Sequence, residues 1–251
     1  MENRFTGRAA LVTGAASGMG LLASQELAKE GAVVYMVDID AGRVSEEAGK
    51  IHASGGRAVP VPCDVRDHEQ IFAAVNRVDA EQGHIDIIIN FAGGFPARMC
   101  KCPPEQSAFI HTPVEVLDWG IDVNFRAPML FARAALEKMM NRRRGVIINI
   151  GSIDGVTGGS VDYGAEKSGI AFGMTKALAK LGAPCGVRCN SVSPGPVLTR
   201  ANMANMKTAL GRAAEPGEIV KLVLYLCSDD AAFITGSHYL IDGGRALLNN
   251  V

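Results

Sequence analysis

The sequence predicts an α/β chain of Rossmann type: a doubly wound, seven-stranded parallel sheet between two layers of helices. Three observations carry this. Short β-rich apolar runs alternate with longer segments of helical period along the 251 residues, the pattern of successive βαβ units. Runs such as Val33-Val34-Tyr35-Met36-Val37 and Ile87-Ile88-Ile89 are apolar throughout, as strands covered on both faces must be. A glycine-rich turn also separates the first strand from the first helix, where open α/β sheets receive ligands.

The strands are expected at residues 9–13, 32–37, 58–63, 85–90, 146–150, 187–192 and 238–241. Helical patterns lie between them at 18–30, 44–53, 68–82, 114–141, 161–181 and 215–228. These helices are long enough to cross back over a sheet. With no internal repeat or Ser/Pro-rich linker, residues 1–251 read as a single domain. Two loops after strands stand out. One, at 93–113, holds Pro96, Pro103 and Pro104 and is longer than most connections, which marks it as functional or partly disordered. The other follows Ser193-Pro194-Gly195-Pro196 and carries Met203 and Met206, adaptable side chains suited to covering an apolar ligand.

A hydrophobic content of 48% with 20% charged residues implies a packed core, and a formal net charge of -1 gives no general attraction to nucleic acid or an anionic membrane. Arg142-Arg143-Arg144 is short enough to be a solvated helix end. No apolar stretch approaches the ~18 residues of a membrane span, and Met1-Glu2-Asn3-Arg4 leads into a strand rather than a signal-peptide core, so a cytoplasmic location is expected. The six cysteines form no paired framework. Cys100-Lys101-Cys102 near His111 lacks zinc spacing and a second pair, so surface thiols are expected and no metal.

The turn Thr13-Gly14-Ala15-Ala16-Ser17-Gly18-Met19-Gly20 lets the backbone approach a pyrophosphate at a helix N-terminus. Asp38, followed by Ile39, ends the second strand 18 residues after Gly20, near the roughly 20-residue offset of a carboxylate that binds the adenosine ribose. It would repel a 2'-phosphate, and neither Ser17 nor Ile39 supplies a cation, which favours NAD over NADP. The alternative is that Asp38 caps the next helix and Arg43 swings in. Asp64-Val65 and Asn90-Phe91-Ala92-Gly93 end the third and fourth strands at the same crevice.

Tyr163 and Lys167 stand four residues apart on one face of a predicted helix. A unit charge ~4 Å away at an effective dielectric of ~20 contributes about 4 kcal/mol, about three pKa units, enough for Lys167 to bring a phenol toward neutrality. Alone, such a pair is more often a solvated helix face than a catalytic pair. Ser152, at the carboxyl end of the fifth strand, is placed to hydrogen-bond a substrate oxygen, and Asn124 to hold Lys167 through water.

Together these residues resemble the short-chain dehydrogenase/reductase family, from about Thr6 to Gly244, adding Pro194-Gly195 through Thr199 and the closing Asp242-Gly243-Gly244. The resemblance implies Tyr163 as acid/base, Ser152 orienting substrate, Lys167 on the nicotinamide ribose and Asn124 holding a relay water. It also implies Asp64 and Val65 beside the adenine, Val197 as backbone partner of the carboxamide, and a homotetramer, with a homodimer as the alternative. It is broadly strongest to 3-oxoacyl-carrier-protein reductases, although Asp38 is unusual for them. Phe91 replaces an Asn of the family motif, the 11 residues from Ser152 to Tyr163 make a tight loop, and the long loop after Gly93 offsets a short lid after Thr199. The expected reaction is hydride transfer between nicotinamide and a secondary alcohol or ketone, with 3-oxoacyl, sugar or polyol, and steroid-like compounds as substrates. A catalytically silent NAD(P)-sensing regulator is the alternative.

Overall fold

In the computed structural model, residues 3–248 are described. The first half alternates strictly: β1 (Ala9–Thr13), α1 (Gly18–Lys29), β2 (Val33–Asp38), α2 (Ala41–Ala53), β3 (Arg57–Pro62), α3 (His68–Gln82) and β4 (Ile87–Asn90). The second half adds α4 (Pro96–Met99), α5 (Val114–Gly120), α6 (Ala127–Asn141), β5 (Gly145–Ile150), α7 (Asp154–Thr157), α8 (Asp162–Ser168), α9 (Thr175–Gly182), β6 (Val187–Pro194), α10 (Pro216–Cys227) and β7 (His238–Ile241). All strand pairs are parallel, in the order β3-β2-β1-β4-β5-β6-β7. The chain reverses its winding between β1 and β4, which opens a crevice at the carboxyl ends of those strands.

Strand alternation divides the core into two layers. Ala10 and Val12 of β1 turn toward α1 and α10, where Leu27, Val223 and Leu224 cover them. Ala9 and Leu11 turn to the opposite face, against Ile71 and Val75 of α3 and Phe131 and Met139 of α6. Burial on both faces explains why these strands are apolar without a break.

All seven expected strands form, with shifted ends. β2 begins at Val33 because the Ala32 N–H closes α1 on the Leu27 carbonyl. β4 begins at Ile87 because Asp86 turns its carboxylate onto the Ala9 N–H. β6 runs on to Pro194, paired with Ile241. α2 starts at Ala41, before the expected Val44, because Asp40 caps it by accepting from the Arg43 N–H. α10 opens on a reciprocal capping box between Glu215 and Glu218.

The two long helices differ more from expectation. Neither 114–141 nor 161–181 is regular: a π turn at Ile121–Arg126 joins α5 to α6, and another at Gly169–Met174 joins α8 to α9. Such turns insert a residue into the helical ladder and re-aim the side chains around them. They meet where Gly169 lies against Phe125, whose Cε2 would be 2.8 Å from an added Cβ. The loop after β4 is ordered by α4 and by 3-10 turns at Pro104–Gln106 and Phe109–His111.

Phe131, 1% exposed, fills the layer between α6 and the sheet. Phe131→Ala is expected to lower the unfolding free energy by about 3–5 kcal/mol, read from the midpoint of a urea titration with the native far-UV spectrum retained at zero denaturant.

Candidate active site

Tyr163 and Lys167 stand one turn apart on α8, and their face is turned inward rather than to solvent. Lys167 is 4% exposed. Its Nζ donates to the Ile150 carbonyl at 2.9 Å and lies 5.7 Å from the Tyr163 ring centroid. Tyr163 is half-buried and meets the edge of Phe95 in a T-shaped contact with centroids 5.9 Å apart. Ser152, just past β5, lines the same cleft as the phenol and accepts the Asp154 N–H at 3.2 Å.

The short Ser152 to Tyr163 connection is tight, as expected, and glycines make it possible. A Cβ on Gly155 would come within 2.6 Å of the Ser168 N, and one on Gly164 within 3.1 Å of the Asp154 carbonyl. With neither present, α7 lies directly on the backbone of α8.

The electrostatics depart from the expected pairing. Burial pushes the Tyr163 phenol up to about 12, reinforced by the charges of Asp154 and Glu166 and opposed by Ser152 and Arg98. The Lys167 ammonium is itself pushed down to about 8 by burial. A full positive charge ~4 Å away in a partly aqueous medium would lower a phenol. Here desolvation disfavours both ions, and Ser152 and Arg98 are the groups that draw the phenol back.

Asn124 lies in the first π turn and is fully buried. Its side chain makes three direct bonds: Nδ2 donates to the Gly94 carbonyl at 3.0 Å and to Glu166 Oε2 at 2.7 Å, while Oδ1 accepts the Gly94 N–H at 2.9 Å. Asn124 therefore pins the start of the long loop. It also holds Glu166, a residue the Tyr-x-x-x-Lys spacing passes over. Glu166 is 6% exposed, its carboxyl raised to about 7 chiefly by burial, and Gly120 leaves room for its Oε1.

The expected nucleotide residues gather along one cleft. Gly14, Ser17, Met19, Gly20, Asp38, Ile39, Asp64, Val65, Ala92 and Gly93 line a cavity of about 300 Å³ at one end. Ser17, Gly18, Ser152, Tyr163, Lys167, Pro194, Gly195, Val197 and Thr199 line a larger space of about 820 Å³ that continues it. Asn90 lies beneath the floor: its Nδ2 donates to Asn149, and its buried Oδ1 finds no partner among the described residues. The Ala92 N–H is fixed by Thr13 Oγ1.

These surroundings fit a dinucleotide. Gly14 has φ 65°, and a Cβ there would stand 3.0 Å from the Ala92 N; a Cβ on Gly20 would strike the Gly14 carbonyl. A Cβ on Gly18 would meet nothing within 4 Å, so its backbone is open to the cleft. α1 has no side-chain cap and no acidic residue in its first turn, which leaves its terminal N–H groups available to a phosphate. Asp38 is held at the rim by the N–H groups of Ala16 and Asp40. It does not cap α2; Asp40 does. The carboxylate of Asp64 is taken by Arg66, which holds it below the usual range, so its backbone and Val65 form that wall.

The end of the cleft beside Tyr163 contains the expected Met203 and Met206 together with residues that no motif singles out. Phe95, Arg98 and Met99 enter from the long loop, Arg200, Met203 and Met206 from the short lid, and Ile153 and Asp154 from α7 and its approach. The lid base is fixed by pairing of Val197 with Ala214. The length of the 93–113 loop and its place after a strand point to the Phe95–Met99 contribution, but not to the individual side chains. Cys100 and Cys102 lie away from this lining, and among the described residues no three His, Cys, Asp or Glu cluster to hold a metal.

Residues 14–246 match the family described as enoyl-(acyl carrier protein) reductase. The chain is 35% identical to a cyclopentanol dehydrogenase of Comamonas sp., over 96% of this chain and 98% of that protein. It is similar in structure to a short-chain type dehydrogenase/reductase from Mycobacterium marinum, with TM-score 0.85, 32% identity and 96% of each chain covered. It is likewise similar to a 3-oxoacyl-[acyl-carrier protein] reductase with bound NAD from Brucella melitensis, with TM-score 0.85, 29% identity and coverage of 97% and 92%.

The Glu166 carboxyl, raised from 4.5 to about 7, keeps a proton in the folded chain that the unfolded chain has already lost between those values. Its contribution to stability is full below about pH 4.5 and disappears as pH rises through 7, by ~3 kcal/mol in all. Glu166→Gln, which keeps an acceptor for Asn124, is expected to flatten this slope. Urea midpoints at pH 5 and pH 8 should lie closer together in the variant than in the parent protein.

Proposed function

The chain belongs to the short-chain dehydrogenase/reductase family, and on that premise we propose that Tyr163 exchanges the hydroxyl proton of a compact secondary alcohol, with NAD preferred to NADP. The protein is a nicotinamide-dependent oxidoreductase of CH–OH groups. When bound, the nicotinamide supplies the hydride acceptor or donor. The carrying observation is the convergence of the Tyr163 phenol, the Ser152 hydroxyl and the Lys167 ammonium at one end of a cleft whose other end is the glycine turn.

Ser152 orients the alcohol oxygen, and Tyr163 takes its proton in oxidation and returns it in reduction. Lys167, fixed by Ile150 and close to Gly93, is placed to bind ribose hydroxyls. Asn124 positions both Gly94 and Glu166 and keeps one Oδ1 lone pair for a relay water. The silent-sensor alternative finds no support among the relatives, which are named dehydrogenases and reductases. Cyclopentanol, named for one relative, and the apolar walls of Phe95, Ile153, Met203 and Met206 favour alicyclic over polyol substrates.

The preference for NAD is supported by Asp38 at the cleft rim. A 2'-phosphate ~4 Å from its carboxylate would be repelled by about 4 kcal/mol per unit charge at an effective dielectric of ~20. We also propose a homotetramer, because self-association would cover the exposed Ile121 and Met129 on the long helix and Phe233 and Leu240 near the free edge of β7. Six free cysteines fit a reducing, cytoplasmic compartment, and among the described residues no helix is long and apolar enough to cross a membrane.

Oxidation of cyclopentanol and related alcohols, followed by NADH absorbance, tests the reading. Tyr163→Phe should reduce kcat by a factor of about a thousand or more while NADH still binds by fluorescence titration; full residual activity would overturn Tyr163 as the acid/base. Asp38→Ser should raise the ratio of kcat/KM for NADP to that for NAD by more than about tenfold, and an unchanged ratio would remove Asp38 from cofactor selection.

A further inference from the structure

At the substrate end of the cleft, two arginines face the reaction site without a counter-charge. Arg98 projects from α4 over Gly94, where its Nη2 lies 3.0 Å from the position of an added Cβ. Arg200 enters from the lid opposite. Both line the same part of the cleft as Tyr163, and the charge of Arg98 bears on the phenol while that of Arg200 bears on Arg98. Elsewhere arginines such as Arg66 and Arg212 are tied to Asp64 and Glu218. Among the described residues the Arg98 guanidinium has no hydrogen bond or ion pair, and that of Arg200 has only a 3.7 Å contact with the Met203 sulfur.

The one carboxylate among the residues lining this part of the cleft does not serve them. Asp154 lines it, and among the described residues its carboxylate forms no ion pair with either arginine. Burial and the neighbouring guanidinium both push Arg98 below its ordinary value, a stress that a bound anion would relieve. Facing the arginines, Ile153, Met203 and Met206 supply apolar cover.

Building on the dehydrogenase reading, we propose that the substrate is a hydroxy acid or oxo acid: a compact apolar frame bearing the secondary alcohol or ketone, with a carboxylate received by Arg98 and Arg200. A planar guanidinium matches a carboxylate in two parallel hydrogen bonds. That contact fixes the distance between carboxylate and reacting carbon, and so selects which alcohol is presented to Tyr163.

Binding of cyclohexanecarboxylate and of cyclohexanecarboxamide to the NADH-loaded protein, measured by calorimetry, tests this without turnover. The carboxylate should bind at least about tenfold more tightly. Arg98→Gln should remove most of that preference, and Arg98→Lys should restore part of it, with NADH affinity retained in both as evidence of a folded cleft. Equal affinity for the two probes, or a preference that survives Arg98→Gln, would overturn the proposal. Loss of NADH binding in both variants would overturn it too, by assigning Arg98 to the cofactor. Turnover of neutral alcohols without a carboxylate preference would sink this inference and leave the dehydrogenase reading standing. A carboxylate preference in a protein that oxidises no alcohol would do the reverse.

Discussion

Taking the Lys167 ammonium out of water costs several kcal/mol, and the catalytic end of the molecule is arranged around that cost. The Ile150 carbonyl at the end of β5 accepts from its Nζ. Glu166, the preceding residue, favours its charge, and Asn124 holds Glu166 in turn. Asn124 reaches there only because a π turn re-aims it inside the long helix, and Glu166 fits only because Gly120 has no side chain to displace it. Strand end, two helices and the start of the β4 loop thus meet at one buried charge. Removing any partner would leave the others unsatisfied in a medium of low dielectric.

Much of this was legible in the sequence, for identifiable reasons. Strands buried on both faces leave unbroken apolar runs, and the winding order follows once those runs alternate with helices. The glycine turn, Asp38, Ser152, Tyr163 and Lys167 were found because each occupies the carboxyl edge of the sheet or a fixed helical spacing from it. Glu166 was not. A carboxylate beside a lysine on a helix reads as a solvated pair, and its burial comes from a second helix that contacts it only in three dimensions.

The π turns were hidden for a related reason. Each displaces the hydrophobic pattern by a single residue, which the period of a long helix absorbs. Arg98 sits on a helix of four residues between prolines and cysteines, where no periodicity assigns it a direction. Asp64 lines the cavity beside the glycine turn, yet its carboxylate is engaged by Arg66 two residues later, a local ion pair that strand-end position alone does not reveal.

The glycine contacts between α7 and α8 make the two jaws of the cleft mechanically unequal. Because α7 rests on the backbone beside Lys167, Ser152, Asp154 and Tyr163 form one closely packed jaw, and room for a bulkier ligand cannot be made there without shifting Ser152 or Tyr163. The opposing jaw, built from the Phe95–Met99 segment and the lid around Met203 and Met206, has no such glycine contact with α7 or α8 among the described residues. A change of side chain there reshapes the cleft without disturbing the backbone that carries Ser152 and Tyr163.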